Sequence, residues 1–327
     1  MLARHAESLF WAGREIERAE STARMLDVTY HGLLEAMPWE AERSWMDLLK
    51  VLWLDRPFAE LEQGVRAATV SEFLVFDPDN PGAILASVGA ARENARAARE
   101  LISSELWEAM NSFHLELRAR NLRADVEARP HELYGFVKRS CQMIAGVAGE
   151  TMPRDDGWRF LMLGWMLERA EMTCRLLDVR FSQLVTAGAT GGFHHWLQTL
   201  KSASGSEAFR RRYRASMNPA DVVEFLLLSR TFPRSVLFCL RSAENDLARL
   251  EAGSVSLTRP QRLLGRTRSD LEFLDTHELL EGDLHLFLDH LLNGVRQVAA
   301  AVGLQYFRGA EEHVHSLGPY GPVGEVG

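Results

Sequence analysis

Apolar residues recur at spacings of three and four along most of this chain. Leu9, Ala12, Ile16, Ala19, Ala23, Leu26 and Tyr30 fall on one face of a single helix. Ile84–Met110 is dense in Ala, Arg, Glu and Leu, residues that lose little side-chain freedom on becoming helical. The same periodicity predicts helices over Phe136–Ala148, Trp158–Phe181, Asp221–Leu228, Arg234–Leu250 and Leu284–Phe307. Strand-like alternation is nearly absent, so the pattern predicts an all-α chain. Between the helices, Asp77-Pro78-Asp79-Asn80-Pro81-Gly82 and Asn218-Pro219 each precede a helical run, with Asp or Asn placed to cap it. Ala187–Gly192 and Lys201–Glu207 read as Gly/Ser/Thr-rich loops. Residues 311–327, with four glycines and two prolines from Gly318 onward, read as a disordered tail.

An internal repeat organises this pattern. Gly13–Val28 reads GREIERAESTARMLDV and Gly164–Val179 reads GWMLERAEMTCRLLDV, with 10 of 16 positions identical at an offset of 151 residues. A weaker echo follows: Asn80-Pro81 leads to Arg92 and Arg96, and Asn218-Pro219 leads to Arg230 and Arg234, at an offset of 138. Two related helical halves are expected, residues 1–152 and 153–310, forming one helical bundle about a pseudo-two-fold axis, because neither half buries its apolar stripes alone.

Inside the repeat lies a charged stripe. Gly13, Glu17, Glu20, Arg24 and Asp27 share one helix face, and Gly164, Glu168, Glu171, Arg175 and Asp178 repeat it. In the first copy an exposed polar face accounts for the stripe. The second copy is apolar nearly all round, from Phe160 to Val179, and a helix of that kind is buried. Its charges must then be paired, since an uncompensated buried ion costs several kcal/mol. Two arrangements satisfy this. One is a Glu–Arg network closing the core, with Arg18, Arg169, Arg92, Arg96, Arg230 and Arg234 as further partners. The other is a polar pocket between the halves that binds a cation, an amine or a carboxylate. A di-metal bundle pairs Glu with Glu-x-x-His. Here Glu17-x-x-Glu20 and Glu168-x-x-Glu171 lack the His, so an all-oxygen set would suit only a hard cation, which the arginines oppose. No bound metal or cofactor is expected.

Composition changes little. Thirty-seven basic and 45 acidic residues give a net charge of −8, with 46% hydrophobic and 25% charged residues, which excludes a disordered chain and argues against broad electrostatic binding of nucleic acid. The three cysteines are far apart, as in a reducing compartment. The first 20 residues lack the apolar core of a signal peptide, and the longest apolar run, Phe160–Leu167, is far too short to span a membrane. A cytoplasmic protein without membrane association is expected. His194-His195, His285, His290, His313 and His315 read as solvated or core histidines, and Trp39, Trp45 and Trp53 as packing anchors. Phe209–Arg214 is a basic run suited to a helix end or to docking an acidic partner. No phosphate loop, nucleophile elbow or Cys/His dyad occurs.

The chain resembles the alpha-E domain family, a bacterial all-helical family, from Met1 to about Arg308. The resemblance rests on Met1-Leu2-Ala3-Arg4, Glu7, Leu9–Trp11, Gly13-Arg14 and Glu17–Arg24, then on Ala91–Arg96, Leu106-Trp107-Glu108 and Asn111. It continues through Glu168–Glu171, Phe225–Leu227, Phe232–Val236 and Gln305–Phe307. The resemblance implies a partner of circularly permuted ATP-grasp proteins, to which some members are fused, often beside transglutaminase-like proteins. It therefore implies an accessory or binding subunit in peptide or amide ligation and modification. Two other functions stay open: an enzyme whose four ERAE carboxylates form a hard-metal or acid–base site acting on an amide or amine, and a purely structural interaction scaffold. For the binding reading the candidate residues are Glu17, Glu20, Arg24, Glu168, Glu171, Arg175, Arg92, Arg96, Arg230 and Arg234.

Overall fold

A computed structural model describes residues 1–34, 37–187, 192–213, 217–253, 256–274, 279 and 283–307. Among these the chain forms α-helices and no strand. In order they are α1 (Ala3–Gly32), α2 (Pro38–Leu52), α3 (Asp55–Ala59), α4 (Ala67–Val75) and α5 (Ile84–Ala97). Then come α6 (Ser104–Ala119), α7 (Leu122–Ala128), α8 (Pro130–Thr151), α9 (Asp156–Ala187) and α10 (Gly192–Ser202). The last five are α11 (Ser206–Tyr213), α12 (Pro219–Leu228), α13 (Val236–Leu250), α14 (Arg259–Glu272) and α15 (Leu284–Tyr306). The expected tail, 311–327, with His313 and His315, lies outside the described residues, as do Arg214 and most of Ala187–Gly192.

The two long helices that carry the repeat, α1 and α9, pack on each other more extensively than any other pair. Around them, α5 and α8 cover α1, while α13 and α15 cover α9. One continuous apolar core runs from Ala6 on α1 to Val302 on α15. α1 and α9 approach each other closely at the two repeat glycines. A Cβ on Gly13 would lie 2.1 Å from the Leu161 carbonyl oxygen, and one on Gly164 would lie 1.9 Å from the Phe10 carbonyl oxygen. Only hydrogen at these positions lets the backbones approach so closely. Contacts advance together along both helices, from Phe10 against Gly164 to Arg18 against Glu168, so α1 and α9 run side by side in the same direction.

Three expectations are corrected. Ile84–Met110 is not one helix: α5 ends at Ala97, Arg99–Leu101 makes a single 3-10 turn, and Ile102 is extended. The Ser103 hydroxyl then caps α6 by accepting from the Leu106 N–H at 3.1 Å, which supplies the local alternative that stops one helix and starts another. Within Lys201–Glu207 only Ala203-Ser204-Gly205 is a loop, because α10 runs to Ser202 and α11 starts at Ser206. The cap at Asn218 is as the sequence suggests, its side chain accepting from Ala220 N–H at 3.1 Å. Asn80 instead closes a turn, accepting from Gly82 N–H at 3.0 Å and donating to the Phe73 carbonyl at 2.8 Å.

Candidate functional site

Both copies of the charged stripe are buried except at Asp178, which is half-buried. Glu17 and Glu168 have 0% and 1% of their surface exposed, and Glu20 and Glu171 have 3% each. The first copy is therefore not a solvated face. Because α1 lies against α9 along the stripe, and α5, α8 and α10 pack around it, no side of the helix is left to water over this stretch.

Every oxygen of the four glutamates accepts a hydrogen bond. Glu17 Oε2 accepts from Arg169 Nη2 at 2.6 Å and from the Trp165 indole N–H at 2.5 Å. Glu17 Oε1 accepts from Arg234 Nη1 at 2.5 Å and from the Ser21 hydroxyl at 3.1 Å. Glu20 accepts from Arg24, from Arg234 Nη2 at 2.5 Å and from the Gln142 amide at 3.3 Å. Across the interface, Glu168 accepts from Arg18 Nε at 2.8 Å and from Arg14 Nε at 2.7 Å. Glu171 accepts from Arg14 Nη2 at 2.8 Å and Arg175 Nη2 at 2.9 Å.

These bonds are reciprocal at the offset of the repeat. Arg18 on α1 serves Glu168 on α9, and its counterpart Arg169 serves Glu17. The position held by Arg14 in the first copy is held by Trp165 in the second, and both donate an N–H to the glutamate of the opposite helix. Arg24 and Arg175 each reach back one turn, to Glu20 and Glu171. At the far end of each stripe, Asp27 pairs with His131 and Asp178 with His285.

The electrostatics follow from this packing. Burial alone would raise the Glu17 carboxyl, but Arg169 and Arg234 beside it outweigh that and hold its pKa at about 2. Glu168 is likewise held at about 2 by Arg18 and Arg14 against the burial that opposes it. Burial works against the charge on Arg234 too, yet Glu17 and Glu20 keep its pKa above the ordinary arginine value. Carboxylates fixed in this state do not take up protons near neutrality, and the guanidinium groups around them repel a cation. Among the described residues the stripe is a network of ion pairs that joins α1, α9 and Arg234.

The remaining candidates lie elsewhere. Arg92 donates to Asn111 at 3.0 Å and pairs with Glu93, to which the exposed Arg96 also donates at 2.8 Å. Arg230 pairs with Glu272 at 2.8 Å and lines an open cleft of about 350 Å³ on α13 with Phe238, Arg241 and Asn245. Of the four arginines outside the repeat, Arg234 joins the network and these three do not. The echo that suggested them is a matter of spacing after each Asn-Pro, and of the four only Arg234 donates to glutamates of α1. Sequence reasoning missed Arg14, Trp165 and Gln142 as donors. The Arg14/Trp165 exchange is the signal that could have found two of them, since both side chains offer an N–H.

Of two further features, Trp45 and Trp53 pack against other side chains and the basic run is exposed. Trp45 is buried, and Trp53 lies between the guanidinium groups of Arg175 and Arg296, whose carbons are 3.9 and 3.7 Å from its ring. Arg210, Arg211 and Arg212 are exposed at the end of α11. Among the described residues, no helix is long and apolar enough to cross a membrane.

Comparison with known proteins places this architecture. The chain is 28% identical over 312 residues to an uncharacterized protein of Mycobacterium bovis and, to the same degree, to uncharacterized proteins of two Mycobacterium tuberculosis strains. Each match takes in 88% of this chain but 34% of the relative, so the chain spans about a third of the length of the curated relatives it matches. No solved structure matches it. Residues 1–307 match the model of the Alpha-E family, described as a predicted α-helical domain with a conserved ER motif, and the chain belongs to that family.

Proposed function

We propose that this protein is an accessory or binding subunit of a circularly permuted ATP-grasp amide ligase, acting in peptide or amide ligation or modification, with a transglutaminase-like protein as a further partner. In this reading it supplies a rigid helical surface and little chemistry of its own. The observation that carries it is the saturation of Glu17, Glu20, Glu168 and Glu171 by arginine and indole donors. Carboxylates so engaged are suited to fixing helices, and unsuited to acid–base work or to a hard cation. The length of the mycobacterial relatives supports it as well, because there the matching region is one part of a much longer chain.

We infer also that residues 1–152 and 153–310 arose by duplication and pack about a pseudo-two-fold axis running between α1 and α9. Support comes from the reciprocal pairs Arg18–Glu168 and Arg169–Glu17 and from the mutual approach of Gly13 to Leu161 and Gly164 to Phe10, positions that correspond at the repeat offset. The core shared by both halves supports a single body. The three buried free thiols, Cys141, Cys174 and Cys239, support a reducing, cytoplasmic setting.

The test is co-purification with a circularly permuted ATP-grasp protein from the same organism, together with that protein's ATPase and ligase rates with and without this chain. A stable complex and a changed rate are expected. Absence of both overturns the proposal.

A further inference from the structure

We propose that Asp27, His31 and His131 form a binding site for one divalent transition-metal ion, and that zinc is the ion the site suits. This site lies at the end of the stripe and does not depend on the proposed partner. Asp27 and His31 are one turn apart on α1 and so share a face, and His131 stands at the start of α8. Asp27 Oδ1 lies 2.7 Å from His131 Nδ1 and 3.2 Å from His31 Nδ1, and one donor atom from each residue falls within 4.8 Å of the others. Among the described residues this is the group of three that meets that condition.

The geometry is close to a coordination sphere. A tetrahedral zinc with bonds of about 2.0–2.1 Å spaces its ligands about 3.3 Å apart, so the observed separations need shifts of only about an ångström. The two imidazole rings are nearly perpendicular, at 84°, with centroids 4.5 Å apart, so their Nδ1 atoms converge from different directions on one carboxylate oxygen. Two imidazoles and a carboxylate select zinc, copper or nickel over magnesium or calcium. Both histidine side chains are largely open to solvent, at 45% and 61%, which leaves room for water to complete the sphere.

The surroundings bear on affinity in two ways. Lys138 donates to the second oxygen of Asp27, which orients the carboxylate, while its charge opposes a cation. The Asp27 carbonyl lies 2.9 Å from His31 Nδ1, a contact that metal binding would replace. The second copy of the repeat supplies a built-in comparison. There Asp178 pairs with His285, but Ser182 stands where the first copy has His31, so the three-ligand set is incomplete. Zinc bound at the first site would tie the end of α1 to the start of α8, segments about 100 residues apart in sequence.

The full chain, stripped with chelator, is to be titrated with zinc by calorimetry and with cobalt(II) by visible absorption. One equivalent of zinc is expected, with the absorption of tetrahedral cobalt. His31→Ala and His131→Ala should each weaken zinc binding more than about tenfold, since each removes one of three protein ligands. His285→Ala should leave it unchanged. Both ligand histidines are surface residues, so circular dichroism can verify that the variants fold. The absence of saturable binding, or binding in His31→Ala and His131→Ala as strong as in the parent chain, overturns the proposal.

Discussion

Arg18 grips Glu168 across the helix interface through Nε at 2.8 Å and Nη2 at 3.1 Å, and the residue equivalent to Arg18 in the second repeat, Arg169, holds Glu17 in return. Two Glu-Arg dipeptides thus exchange partners between α1 and α9. Neither helix satisfies its stripe alone: Arg14, Arg18 and Arg169 serve a glutamate of the other helix, while Arg24 and Arg175 serve their own. The ion pairs consequently specify which helix faces which and in what register. They do so without any requirement that the pairs exceed an apolar core in stability, which buried pairs often do not.

Breaking this exchange on one side should be costly. Glu168→Gln removes the charge that Arg14 and Arg18 share, and is expected to lower unfolding stability by about 3–5 kcal/mol. Arg18→Met alone should be severe as well, since Glu168 keeps only Arg14. Combining the two should cost clearly less than the sum, with a coupling of about 1–3 kcal/mol. Urea denaturation of the two single variants and the double variant measures all three quantities.

The glycines make a sharper, purely steric prediction. Gly164→Ala places a methyl group against the Phe10 carbonyl, and Gly13→Ala places one against that of Leu161. Backbone cannot swing aside as a side chain can, so each change should cost about 1–3 kcal/mol or more through forced separation of the helices. Gly146 and Gly149 on α8 have nothing within 4 Å of the place a methyl group would take. There Gly→Ala should stabilise by about 0.4–1 kcal/mol, through helix propensity and a less flexible unfolded chain. Thermal melts of the four variants should therefore fall into two groups of opposite sign.

Trp165 offers a milder perturbation of the same network. Trp165→Phe keeps the buried ring but removes the N–H that Glu17 accepts, while Arg169, Arg234 and Ser21 still bond that carboxylate. A loss of about 1.5–3 kcal/mol is expected, the usual range for a hydrogen bond to a charged group. Trp165→Arg restores a donor and reproduces the first copy's chemistry, but adds a third guanidinium beside Glu17. It should be less stable than Trp165→Phe, measured in the same urea series.

The long helices are legible in the sequence, because a repeated apolar period over more than 20 residues has few other solutions. The burial of the second stripe is legible for the same reason, since Phe160–Val179 has no polar side to spare. Burial of the first stripe is not. Leu9 to Tyr30 shows an amphipathic pattern that a half-exposed helix would share, and only the close approach of α9 at Gly13 reveals that the polar face is covered too. Short helices such as α3 and α7 bury one or two residues each, too few to leave a period. The Asp27–His131 pair is invisible for another reason: it joins positions about 100 residues apart through the packing of α8 on α1.

The pH dependence of stability should have two limbs of opposite sign. Glu17 and Glu168 titrate at about 2 in the folded protein, against about 4.3 for an unfolded glutamate. Their folded pKa values are depressed, so their contribution is complete above the unfolded value and is lost as pH falls toward 2. Stability should accordingly rise between pH 3 and 5. Asp246 runs the other way. Burial raises its carboxyl to about 6 despite Arg159 nearby, so its contribution is present at low pH and is lost as pH rises from about 4 through 6. Asp246→Asn cannot ionise and should remove this second limb. The stability of the variant relative to the parent should increase between pH 4 and 6 and level off above, which a urea titration at pH 3, 4, 5, 6 and 7 resolves. A difference that stays flat across that range would show that Asp246 ionises as an ordinary aspartate.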